Sequence, residues 1–143
     1  MNFRLAGSKA TRVHLRALGE GDEQWKSGKA DIKFAIMFDD AEASVFFIRF
    51  SIDLLIENTP KTGLSVDYVS RFECSKPLTE AEKTSHFVTR NAPAIAFPFL
   101  RSYIAHVGLM AGYTPIVLPP INFAGDVVVA VDEASSNAGG PKD

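Results

Sequence analysis

The sequence predicts an α+β fold, a four-stranded antiparallel sheet followed by helices packed on one face, and three observations predict it. Four early segments alternate apolar and polar residues with the period of two that a half-buried strand requires. Short polar turns join them, which favours antiparallel neighbours. Beyond Pro77 the apolar spacing becomes helical, so strands come first and helices later.

The first strand is read from Val13, Leu15 and Ala17 alternating with Arg12, His14 and Arg16. A loop carrying Gly19-Glu20-Gly21-Asp22 and the lone Trp25 follows. Ile32, Phe34, Ile36 and Phe38 mark the second strand, and Asp39-Asp40-Ala41-Glu42 the turn of a hairpin. The third strand sends Phe46, Ile48, Phe50, Ile52, Leu54 and Ile56 to one side and Val45, Phe47, Arg49, Ser51, Asp53 and Leu55 to the other. Phe47 and Leu55 leave apolar surface that one sheet and two short helices do not cover, which predicts self-association. After the turn Thr59-Pro60-Lys61-Thr62-Gly63, a fourth strand alternates through Leu64, Val66, Tyr68, Ser70 and Phe72.

Thr79 with Glu82 three residues on is a capping-box signature, predicting a short helix from Glu80 toward Arg90. Pro93 and Pro98 interrupt it, and a second helix places Phe97, Leu100, Ile104 and Val107 on one face, ending at Gly108 or Gly112. Tyr113 to Pro120 is too proline-rich for a helix and is expected to run extended. Asp126 to Val131 reads as a short helix or a strand. Residues 1–131 are expected to form one domain, and 132–143, rich in Ser, Asn and Gly, a disordered tail.

Composition excludes several function classes. A chain of 143 residues buries roughly two-thirds of its unfolded surface and needs no staple. Its single cysteine, Cys74, forms no internal disulfide, which suits a reducing cytoplasm. Net charge is −2, with no basic excess of the kind a nucleic-acid binder shows. That charge is uneven: Arg4, Lys9, Arg12 and Arg16 lie within residues 1–19, which contain no acid. No apolar run approaches the roughly 18 residues of a membrane span.

The chemical inventory points away from catalysis. Gly19-Glu20-Gly21 lacks the third glycine of a dinucleotide loop, with Gln24 in its place, and reads as a turn. Cys74 with His86 is the one nucleophile-and-base pairing on offer, and a lone cysteine among aromatic neighbours is ordinarily a small buried hydrophobe. His14, His86 and His106 have no metal-ligand spacing, and Asp39, Asp40 and Glu42 lack the other ligands of a calcium loop. Trp25 reads equally as a lid on the core or as a contact to an apolar ligand. No cofactor or nucleotide is expected.

The stretch from Asn91 to Ile104, with Pro93, Phe97-Pro98 and Arg101, followed by Gly112, Pro115 and Leu118-Pro119-Pro120-Ile121-Asn122-Phe123, resembles the SecB protein-export chaperones. The resemblance covers most of the chain, most specifically its last third. It implies a cytoplasmic homotetramer, a dimer of dimers, with helices between two sheets. It also implies an ATP-independent holdase that keeps unfolded preproteins export- or folding-competent in apolar grooves. By position, Trp25, Ile32, Phe34 and Ile36, with Tyr113, Ile116 and Leu118, correspond to client-polypeptide contacts. Leu64, Val66 and Tyr68 correspond to subunit contacts. The family's first strand presents acids to the basic tail of the motor SecA. Here Arg12 and Arg16 occupy those positions and only Asp67 keeps its sign, so the partner is expected to differ, for example an antitoxin.

A competing class is an oligomeric small-molecule enzyme or binding protein such as a hotdog thioesterase. That fold puts its long helix early, whereas here strands lead. An adaptor oligomer serving one fixed partner shares every sequence feature of a holdase.

Overall fold

The computed structural model describes residues 2–25, 30–57 and 61–123, with the backbone of residues 129–132. Four strands, β1 (Phe3–Ala17), β2 (Ala30–Phe38), β3 (Val45–Ile56) and β4 (Thr62–Cys74), precede a helical segment. That segment comprises α1 (Glu80–Lys83), a π-helical turn (Phe87–Asn91) and the long α2 (Ala92–Met110). A last strand, β5 (Val129–Asp132), returns to the sheet, whose order is β1-β4-β3-β2-β5. The first four strands pair antiparallel, and β5 lies parallel to β2.

β1 starts ten residues before the alternation Val13-Leu15-Ala17 becomes visible, and its irregular register explains why. Register shifts between Leu5 and Gly7 and between Ala10 and Arg12 each change which residues face the core. Phe3 and Leu5, then Ser8 and Ala10, then Val13 and Leu15 therefore share one face, a pattern that no single period of two matches.

The core lies between the sheet and α2. Cross-strand partners Phe46 and Phe72 stack with centroids 5.1 Å apart, and Phe3 meets both edge-on. Phe97, Leu100 and Ile104 of α2 are buried against this face, and Phe123 brings its ring to Phe34, Phe50 and Phe97. The helical period thus places the expected residues inward.

Three expectations are corrected. The helix predicted from Glu80 to Arg90 lasts one turn: the Thr79–Glu82 capping box forms in full, but Thr84 and Ser85 hydroxyls then bond back to Ala81 and Glu82 carbonyls. Pro98 does not interrupt α2; it lies inside it on the solvent side, as does Ala94, whose carbonyl the proline leaves without an amide. Pro93 is the second residue of α2, directly after the π-helical turn. The helical part is accordingly one long helix, not two short ones.

Finally, Phe47 is not left uncovered. It is buried with Met37, Val45 and Val69 in a small cluster on the sheet face opposite α2, and the Arg71 guanidinium lies 5.8 Å from its ring centre. Gly112, with φ +97°, ends α2 in a Schellman motif: the Tyr113 amide bonds the Gly108 carbonyl and the Gly112 amide that of Leu109. Of the tail expected to be disordered, 132–143, Asp132 is instead the last residue of β5, and residues 133–143, like 124–128, lie outside the described residues. Within the ambiguous segment, Val129 to Val131 are strand.

Candidate functional site

Because β1 and β2 lie at different positions in the sheet, the chain must cross from one to the other, and that crossing carries Trp25. The Leu18 amide bonds the Lys61 carbonyl at 2.8 Å as the chain leaves β1. Gly21, with φ +92°, makes the turn. Asp22 then fastens the crossing: it accepts from Arg16 at 2.8 and 3.3 Å and from the Gly19 amide at 2.8 Å. The Arg16 hydrogen bonds, followed by that of Gly19, hold the Asp22 carboxyl below its usual range. The Trp25 amide bonds the Asp22 carbonyl at 3.1 Å, so this knot sets the indole.

Trp25 lies over Gly63, on the sheet face opposite α2. A Cβ at Gly63 would stand 3.0 Å from both the indole and Leu18, so a residue without a side chain is required there. Beside it is an open hollow of about 640 Å³, with Arg12, His14 and Arg16 on one wall and Asp31, Asp53 and Leu55 on the other. Trp25 is therefore not a lid on the main core.

On the α2 side an extended strap runs from Thr114 to Phe123. Tyr113 Oη lies 3.3 Å from Thr62 Oγ1, Ile116 presses on Gly108, and Arg101 Nε donates to the Leu118 carbonyl at 3.1 Å. Leu118 and Phe123 are buried beneath it.

The residues expected to contact a client fall into two groups. Trp25 and Tyr113 flank Gly63 and Thr62 on opposite faces at one end of the sheet, while Ile32, opposite Ile52, is partly buried against the core. Phe34, Ile36 and Leu118 are instead buried in the core, with Ile116 half-buried over α2. Leu64 and Val66 are wholly buried and Tyr68 nearly so, its ring against Tyr103; burial pushes the Tyr68 hydroxyl up. The positions expected to dock the motor are engaged within the chain. Arg12 donates to Asp67 at 3.0 Å, and Arg16 is held by Asp22.

The Arg16–Asp22 knot and the outer face of α2 escaped sequence reasoning. Ile95, Phe99, Leu109 and Met110 are exposed on that helix. The available signal was the apolar residues left over once Phe97, Leu100, Ile104 and Val107 had been assigned inward.

Burial, then the Glu82 carboxylate, push the Cys74 thiol up, the opposite of what a nucleophile needs. Asp39 accepts from the Ala41 and Glu42 amides and so closes the hairpin turn. Among the described residues no three His, Cys, Asp or Glu side chains group as metal ligands. No described helix is long and apolar enough to cross a membrane.

Comparison with known proteins agrees with this architecture. The family described as preprotein translocase subunit SecB matches residues 22–126. A protein-export protein SecB of Anaplasma phagocytophilum is 29% identical over 96 residues, covering 66% of this chain and 59% of that protein. An uncharacterised protein of Methanocaldococcus jannaschii is 40% identical over 63 residues, 43% of this chain and 39% of that one. The chain thus spans less than two-thirds of the length of either relative. Among solved structures, the Mycobacterium tuberculosis SecB-like chaperone in complex with a peptide from the HigA1 antitoxin superposes with a TM-score of 0.62 at 17% identity, covering 83% of this chain and 90% of that one. A Streptococcus agalactiae protein of unknown function gives 0.54 at 15%, covering 84% and 98%. With four antiparallel strands followed by one long helix, and a family match across most of its length, the chain belongs to the SecB family.

Proposed function

We propose that this chain is an ATP-independent cytoplasmic holdase that binds unfolded polypeptide, a preprotein or an antitoxin, and holds it passively. SecB-family chaperones are not enzymes. The observation that carries the reading is uncovered apolar surface on a protomer whose core is filled. Val13 and Leu15 of β1, Ile95, Phe99, Leu109 and Met110 of α2, and Val117 of the strap stay exposed. Surface of this kind must be covered by another copy or by a client.

The division we favour gives the α2 face to a second copy, in a dimer of dimers, and the Trp25 end of the sheet to the client. In that arrangement Trp25, Ile32, Tyr113 and Ile116 make contact, with Phe34, Ile36 and Leu118 as the wall behind them. Leu64, Val66 and Tyr68 support the subunit contact from beneath α2. Many weak apolar contacts acting together supply the affinity without demanding a sequence.

The test is light-scattering mass of the protein alone and with a slow-folding unfolded client. A tetramer that gains the client's mass supports the reading, and a monomer indifferent to unfolded chains overturns it. Because Phe34 and Ile36 are core residues and Ile32 packs partly buried against the core, charges there would report on folding; Trp25→Ala is the informative variant. It should weaken suppression of client aggregation several-fold with the far-ultraviolet circular dichroism unchanged.

A second reading, a chaperone dedicated to an antitoxin or another single partner and uncoupled from SecA, is favoured by Arg12 and Arg16. Both stand where the family presents acids, and both are tied to acids of this chain. Adding the basic C-terminal tail of SecA to the same measurement should leave the mass unchanged; binding of the tail would overturn this second reading.

A further inference from the structure

The outer edge of β2 is occupied by the chain's own β5. Val129, Ala130, Val131 and Asp132 pair in parallel with Phe34, Ala35, Ile36 and Met37. β5 is four residues long and β2 nine. A sheet edge closed by so short a strand is a template for a longer one.

We propose that β5 is a displaceable occupant of the β2 edge, competing there with an extended segment of unfolded polypeptide. The proposal rests on the holdase reading and adds how the client's backbone is held and what holds the site in reserve. Three features argue for displacement. A parallel pair is slightly weaker per residue than the antiparallel pair a client can form. The pairing is short, and an extended client segment that spans more of the nine residues of β2 exchanges more backbone hydrogen bonds with it than four residues can. Phe123, the last described residue before β5, is buried among Phe34, Phe50 and Phe97, so β5 is tethered within a few residues of the edge it covers. A short tether keeps the local concentration of β5 on the order of millimolar, which makes weak pairing persist and yet yield to a longer strand.

The competition also fits what β2 has left to offer. Its inward side chains Phe34, Ile36 and Phe38 are already buried in the core. What remains at the edge is chiefly backbone, which binds an extended chain without reading its sequence.

Two full-length variants test this. Ala35 and Ala130 are register partners, and adjacent strands lie close enough for a disulfide, so Ala35→Cys with Ala130→Cys locks β5 down when oxidised. Val129→Pro with Ala130→Pro removes successive amides, one of which must face β2. Affinity for a fluorescently labelled, permanently unfolded client is measured for the parent, the lock before and after reduction, and the proline variant. If β5 is docked most of the time, the proline variant binds about fivefold tighter than the parent. The oxidised lock, its cross-link verified by mass, binds at least fivefold more weakly and recovers on reduction. Equal affinity of lock, proline variant and a client-binding parent overturns the competition and leaves the holdase reading standing. A parent that binds no unfolded chain overturns the holdase reading, and this inference with it.

Discussion

Arg16 holds Asp22 through two hydrogen bonds, and Asp22 in turn fixes the start of the segment that seats Trp25. The carboxyl is depressed below its ordinary range by Arg16 first and the Gly19 amide second. A depressed carboxyl contributes stability above its unfolded pKa, about 3.9, and that contribution is lost as pH falls through the folded value. Trp25 is the sole tryptophan, so its emission reports on the crossing alone. Emission should be constant from pH 7 to about 4 and shift only below that. Asp22→Asn should show the shifted spectrum already at pH 7, with far-ultraviolet circular dichroism unchanged. An unaltered Asp22→Asn spectrum would show that the knot does not seat the indole.

Gly112 closes α2 at φ +97°, where a side chain clashes with its own backbone, while the space around it is open. Gly112→Ala should therefore cost about 1 kcal/mol through backbone conformation alone. Urea unfolding measures it, and an unchanged midpoint would mean that the helix can end in another way.

Gly108 poses the opposite problem: its backbone is helical, and the obstacle is Ile116, whose δ and γ carbons would lie 2.9 Å from an added Cβ. Replacing glycine by alanine inside a helix gains roughly 1 kcal/mol in propensity, so contact and propensity oppose each other. Gly108→Ala should destabilise the parent by about 1 kcal/mol and become neutral or stabilising when Ile116→Ala removes the obstacle. Additive effects of the two substitutions would place the strap elsewhere in solution.

Much of the fold was legible because its period is local and clean. Strands β2, β3 and β4 alternate without interruption, and Thr79–Glu82 signals its cap directly. The upper half of β1 was not legible, because its register shifts break the parity that pattern reading relies on. Pro98 misled because a proline's cost depends on exposure, and position 98 faces solvent. The site was harder to read than the fold. Ile32, Phe34 and Ile36 alternate on one face of β2, but whether such a face lines a groove or fills a core depends on what covers it. Phe123, far away in sequence, covers Phe34. Arg16 and Asp22 looked like separate surface charges until the turn at Gly21 brought them together.

Phe99 is about half exposed near the middle of α2, with Ile95 one turn before it. Within an isolated protomer neither side chain has much to lose, so Phe99→Asp should change protomer stability by no more than about 0.5 kcal/mol. In an assembly that buries this face, the same carboxylate would be stripped of water with no cation opposite, a cost of several kcal/mol at each contact. The expected outcome is thus a folded protein of lower mass: light scattering should fall from the mass of the proposed tetramer toward that of a dimer or monomer, while the far-ultraviolet spectrum and the urea midpoint of the dissociated species stay within error. Ile95→Asp should act in the same direction, and Ser102→Asp, on the same face but polar to begin with, more weakly. A Phe99→Asp tetramer indistinguishable from the parent would move the subunit contact off α2. The apolar face of that helix would then be left free for the client.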